Sequence, residues 1–166
     1  MESINNIDIS NTKGYGIFST ETGNAPFNTW KDYLLDITNK KWDEIKKFKY
    51  IDSNLVDNLI IKIKELLPFC KEVRKLRHGD FGTNNIVVND NLKFSGVIHW
   101  DCAGYGDPLY EVGNAYFWNC ALLCMKKVFE YWKIIYGNID NFDNIIRCYY
   151  YILVLEKFTK ILMIMI

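Results

Sequence analysis

The sequence predicts a mostly helical α+β fold with one short β-hairpin, and three observations carry that prediction. Apolar residues recur at helical spacing in four separate stretches, beginning near Trp30, Ser53, Tyr110 and Phe142. Only the stretch from Ile86 to Trp100 reads as two apolar strands about a polar turn. Hydrophobic residues make up 49% of the chain and aromatic residues 16%, enough to build a core and well outside the polar, charge-rich class that stays unfolded. At 166 residues the length predicts one domain, or a large fragment of one, over positions 1–166.

Taken in order, residues 5–28 hold Gly14, Gly16, Gly23 and Pro26 among scattered polar side chains and read as an irregular entry segment. Asn28 or Thr29 can cap the helix that follows, whose apolar residues are Trp30, Tyr33, Leu34 and Ile37. From Ser53 a second helix places Leu55, Leu59, Ile60, Ile63, Leu66 and Leu67 on one face, and Pro68 ends it. The hairpin pairs Ile86–Val88 with Phe94–Trp100 about a turn at Asn89–Asn91. Beyond a turn region at Gly104–Pro108, helices over Tyr110–Tyr136 and Phe142–Ile166 are separated by Gly137 and Asn138. Ile161–Ile166 has no capping residue, so the last helix is expected to continue where the chain stops.

Charge and cysteine usage narrow the classes. Twenty Lys+Arg balance 20 Asp+Glu, so the chain lacks the basic field that displaces counterions from a nucleic acid. Five cysteines without paired CxxC spacing suggest neither a disulfide framework nor a zinc ribbon, and a reducing cytoplasm is expected. The first ten residues lack the basic and apolar pattern of a secretion signal. The apolar run Cys148–Ile166 is interrupted by Glu156, Lys157 and Lys160, which disfavours a membrane span.

The chemistry concentrates in His78-Gly79-Asp80-Phe81-Gly82-Thr83-Asn84-Asn85, then Gly96-Val97-Ile98-His99-Trp100-Asp101, then Gly106-Asp107-Pro108. An acceptor hydroxyl attacking a phosphoryl group needs a carboxylate to orient it and take its proton, with an amide oxygen nearby for a metal. Asp80 and Asn85 have the interval that separates the catalytic-loop Asp from the metal-binding Asn in kinases. Together with Gly14-Tyr15-Gly16, Trp30-Lys31-Asp32-Tyr33-Leu34, Tyr110-Glu111-Val112 and Phe117-Trp118, these motifs resemble the aminoglycoside phosphotransferases, and among them the hygromycin B phosphotransferases most. The resemblance implies the C-terminal lobe of a protein-kinase-like fold with the N-terminal nucleotide lobe missing. It also implies transfer of the ATP γ-phosphate to a hydroxyl of an aminoglycoside, with ATP and Mg²⁺ as cofactors. Asp80 would be the base, His78 a residue structuring the catalytic loop, Asn85 a metal and nucleotide ligand, and Asp107 a structural brace. For the acceptor's amines, carboxylates are available at Asp107, Glu111, Asp140 and Asp143.

Two departures stand against this. At His99, where the family holds an Asp that chelates Mg²⁺, a neutral imidazole offers a nitrogen to an ion that prefers oxygen. Asp101, two residues on, would share a strand face with His99 and is the alternative metal ligand. The Gly14-Tyr15-Gly16 turn is followed by no strand lysine and does not serve as a phosphate loop. The isolated chain is therefore expected to be weak or inactive, to need a separately supplied N-terminal lobe, or to self-associate through an uncovered face. The rival readings are a non-catalytic remnant or interaction module, and a metal-dependent hydrolase built on His78, Asp80, His99 and Asp101. Cys120 and Cys124 read as small core residues on one helical face, and Phe117, Trp118, Phe129, Tyr131 and Trp132 as packing.

Overall fold

A computed structural model describes residues 2–49, 51–119 and 122–164. Six helices are described: α1 (Glu2–Asn5), α2 (Trp30–Ile45), α3 (Ser53–Leu66), α4 (Leu109–Trp118), α5 (Leu123–Tyr136) and α6 (Phe142–Ile164). Five short strands lie among them: β1 (Gly16–Ile17), β2 (Lys75–Arg77), β3 (Ile86–Val88), β4 (Phe94–Val97) and β5 (Gly104–Gly106). The mostly helical α+β class is thus observed. None of the described helices is long and apolar enough to cross a membrane.

Thr29 caps α2, its hydroxyl accepting the Asp32 N–H at 3.1 Å. The Glu72 carboxylate accepts the Trp30 and Lys31 N–H groups at 2.6 and 3.3 Å, so the start of α2 has few orphan donors. Asp52 caps α3, and Pro68 falls in a 3₁₀ turn, Leu67–Phe69, that closes it. The buried face of α3 is Val56, Ile60 and Ile63, while Leu55 is 70% exposed. Ile60 and Ile63 of the expected face are thus in place, with Leu67 buried and Leu59 and Leu66 packed against the core; Leu55 alone points away, and Val56 is buried instead.

The long helix expected over Tyr110–Tyr136 is two helices. After Trp118 the chain turns, with Leu122 N–H bonded to the Trp118 carbonyl at 2.9 Å, so that α5 packs back on α4. Of the two cysteines expected on one face there, Cys120 lies outside the described residues and Cys124 is exposed rather than in the core. Tyr131 is likewise exposed, whereas Trp132 is buried.

Helix α6 is the spine: α2, α3 and α4 all pack on it. Ile145, Cys148, Tyr149, Ile152 and Leu155 of α6 are buried against Trp30, Leu34, Ile63 and Val112. Each such aliphatic side chain contributes about 2 kcal/mol of apolar burial.

The sheet β1-β5-β2 is antiparallel throughout, with Tyr105 opposite both Gly16 and Leu76. Sequence periodicity does not reveal it, because its strands are two or three residues long and two of them hold glycine. The β3-β4 hairpin forms as expected, with a bulge between Val87 and Val88. Its second strand stops at Val97, and His99 sits at φ 61, in the left-handed region. Because residues 98–101 are not a strand, the shared face expected for His99 and Asp101 does not exist there.

Candidate active site

Strand β2 delivers the chain into the loop 78–82, a 3₁₀ turn at Thr83–Asn85 leads into β3, and the returning end of the hairpin closes on that loop. Ile98 makes the closure from both of its backbone groups. Its N–H donates to the Asn85 carbonyl at 3.0 Å, and its carbonyl accepts from His78 Nε2 at 2.8 Å. With Nε2 donating, Nδ1 of His78 is free to accept the Asp80 N–H, 3.3 Å away. Both ring nitrogens of this 1%-exposed histidine are thereby committed to backbone.

Asn85, also buried, donates from Nδ2 to the Asp80 carbonyl at 2.7 Å and reaches the Asp80 carboxylate at 3.4 Å. That commits the amide nitrogen and leaves Oδ1 as its acceptor face, which Asn84 Nδ2 meets at 3.4 Å. Asp80 itself is partly exposed, and Lys157 of α6 stands 3.8 Å from its Oδ1. The two residues line a cavity of about 240 Å³ with Asn84, Asn114, Trp118 and Met125.

Glu111 and Asp107 do not open on this cavity. Glu111, fully buried at the start of α4, accepts the Gly79 N–H at 2.5 Å and the Phe81 N–H at 3.3 Å. Asp107, 3% exposed, accepts the Leu109 N–H at 2.9 Å and the Tyr149 hydroxyl at 2.8 Å. The Tyr149 oxygen in turn accepts the Trp30 indole N–H at 2.9 Å, tying α2, α4 and α6 together. Burial pushes the Asp107 carboxyl above its ordinary range, against the hydrogen bonds from Leu109 and Tyr149 and the charge of Arg77. The Arg77 guanidinium, itself buried, stacks over the rings of Trp30 and Tyr110 at 4.8 Å each.

His99 and Asp101 are exposed, at 66% and 91% of their side chains, and 3.9 Å apart. Among the described residues no three His, Cys, Asp or Glu side chains come together to hold a metal ion. The four-residue site of a metal-dependent hydrolase is therefore not assembled, and His78 has no nitrogen to give it. The Gly14-Tyr15-Gly16 turn is spent on structure. The Gly14 carbonyl accepts from Arg74 Nε at 2.8 Å, and Gly16 lies against the Tyr33 ring, which a side chain there would strike.

Lys157, Asn114 and Met125 were not foreseen at the site. Lys157 follows Asp80 by 77 positions, on a helix apolar along most of its length, and no spacing rule fixes which side chain faces a loop so far back.

A buried clamp around a loop aspartate, with an asparagine five positions on and a pocket alongside, has the layout of the catalytic loop in a kinase-like fold. The chain belongs to the phosphotransferase enzyme family (APH), whose model matches residues 25–126. It is 34% identical over 139 residues to hygromycin-B 4-O-kinase of Escherichia coli, an alignment covering 80% of this chain and 39% of that protein. Crystal structures of aminoglycoside phosphotransferase APH(4)-Ia superpose on it. The apo form of a thermostable mutant gives a TM-score of 0.84 at 30% identity, covering 96% of this chain and 54% of that one. A ternary complex of such a mutant with ADP and hygromycin B gives 0.81 at 29% identity, covering 96% and 53%. The match is to the C-terminal part of that kinase-like fold. The chain thus spans about two fifths of the curated relative and about half of the solved ones.

Proposed function

We propose that this chain carries the base and the acceptor site of an aminoglycoside kinase. Asp80 orients a hydroxyl of the acceptor and takes its proton as the hydroxyl oxygen bonds to the γ-phosphorus of ATP. The bond from that phosphorus to the bridging oxygen breaks, and ADP leaves. The observation that supports this best is the Asn85 amide held at 2.7 Å on the Asp80 backbone, which sets the carboxylate at the mouth of the pocket. Solved relatives in ternary complexes carry single alanine replacements of an aspartate and of two adjacent asparagines four and five positions on. Asp80, Asn84 and Asn85 repeat that spacing.

His78 and Glu111 hold the loop, and Asp107 braces α4 against α2 and α6. The metal ligands implied by the family are only half matched. Asn85 Oδ1 suits a hard cation, but His99 offers a nitrogen and Asp101 lies on an exposed turn, so the set as a whole does not fit Mg²⁺. That misfit is what favours the second reading, a non-catalytic module on the same scaffold.

The two readings separate in a fusion of this chain to the nucleotide-binding half of hygromycin-B 4-O-kinase. Phosphorylation of hygromycin B that falls by at least ~100-fold on Asp80→Asn supports the kinase. A folded fusion that binds both ligands without turnover supports the module.

A further inference from the structure

The pocket beside Asp80 has a charge pattern that a densely cationic acceptor does not match. Among the described residues Asp80 is the one carboxylate in its lining, and Lys157 sets an ammonium against it at 3.8 Å, with only 21% of the lysine side chain exposed. The other acids nearby are committed elsewhere. Glu156 turns to Lys160 at 3.4 Å, while Glu111 and Asp107 are buried on the backbone of the loop and of α4. Asp143 lines a separate hollow with Lys133 and Arg147. The remaining walls include the Trp118 indole, over which the Lys157 ammonium stands at 6.0 Å, the Met125 side chain, and Asn114, whose buried Oδ1 has no hydrogen-bond partner among the described residues.

We infer that Lys157 is a specificity-determining residue that selects acceptors presenting hydroxyls, and no ammonium, beside the hydroxyl held by Asp80. The inference rests on the acceptor role proposed above for this pocket. The lining comes from the loop and from α4, α5 and α6, with no residue of the hairpin, so the lysine stands on the acceptor's side of Asp80. An amine protonated at neutral pH and brought into the pocket meets a like charge a few ångströms away in a partly desolvated setting, where repulsion exceeds its value in bulk water. A sugar hydroxyl in the same place meets a donor it can accept from.

The test compares hygromycin B with its fully N-acetylated form, each titrated calorimetrically at low salt into the chain and into Lys157→Met and Lys157→Gln. The preference for the acetylated over the free ligand should fall by roughly tenfold in both variants relative to the parent, the size expected for removing one like charge at this range. An unchanged preference overturns the inference and leaves the acceptor site standing. A change in Lys157→Met alone also overturns it, since loss of charge is then not the cause. Absence of binding by either ligand to any of the three chains overturns the acceptor reading and this inference together.

Discussion

Glu111 holds Gly79: its Oε1 accepts the Gly79 N–H at 2.5 Å while Oε2 accepts that of Phe81 at 3.3 Å, so one carboxylate on α4 fixes the backbone on both sides of Asp80. A buried carboxylate accepting two N–H groups gains charge-assisted bonds worth about 1.5–3 kcal/mol each and leaves two orphan donors if removed. Glu111→Gln keeps the size but turns an NH₂ toward one of those donors. The variant should lose about 2 kcal/mol of stability, read as a lower urea midpoint at unchanged slope. A midpoint within error of the parent would show that the carboxylate does not hold the loop.

Gly106→Ala probes the floor of the same scaffold. A Cβ at Gly106 would lie 2.4 Å from the Trp30 ring, and that ring is pinned by its bond to Tyr149 and by the guanidinium of Arg77. Rigid neighbours cannot give way, so overpacking should cost about 2–3 kcal/mol, seen as a drop in Tm. Gly96→Ala, where nothing lies within 4 Å of the added carbon, is the control and should move Tm little.

The loop string His78–Asn85 and the hairpin were legible because chemistry and turn signals lie within one short stretch. The helix starts at Trp30 and Ser53 were legible from their caps. The sheet β1-β5-β2 was not, since strands of two or three residues leave no alternation to detect and their pairing joins positions 16, 76 and 105. Nor was the break after Trp118, where the apolar spacing continues through a turn. Glu111 and Lys157 are both charged residues on helices facing the loop, and periodicity alone does not say that one is buried under the backbone and the other reaches the pocket.

Asp107 should leave a signature in the pH dependence of stability. Its carboxyl titrates above the ordinary carboxylate range in the folded chain, chiefly because burial disfavours the charge. Between the unfolded value of about 3.9 and the raised folded value, the native state binds more protons than the unfolded state. The contribution of Asp107 to stability is therefore greatest at low pH and declines as pH rises through that window. Asp107→Asn cannot ionise, so the stability difference, parent minus variant, should shrink from about pH 4 upward in a denaturation series. A difference that grows with pH would mean that the Leu109 and Tyr149 hydrogen bonds outweigh burial.

The metal position that the family resemblance implies at His99 offers a direct gain-of-function test. His99 lies at φ 61 on an exposed turn, a conformation that Asp adopts about as readily as His, and its side chain is 66% exposed. His99→Asp should therefore leave stability within about 0.5 kcal/mol of the parent. It exchanges a neutral nitrogen donor for a charged oxygen and sets a second carboxylate near Asp101, now 3.9 Å from the imidazole. Two carboxylates close together repel each other and are relieved by a hard divalent cation, so affinity for Mg²⁺ should rise. Mn²⁺ serves as the reporter, because it shares the oxygen preference and its free form is counted by electron paramagnetic resonance. Titrations with and without ATP should show Mn²⁺ binding roughly tenfold tighter in His99→Asp than in the parent, and Asp101→Asn in the same background should abolish the gain, since Asp101 is the carboxylate paired with the new one. Equal binding in parent and variant, lost on Asp101→Asn, would instead assign the metal to Asp101 and make the exchange at His99 irrelevant to it.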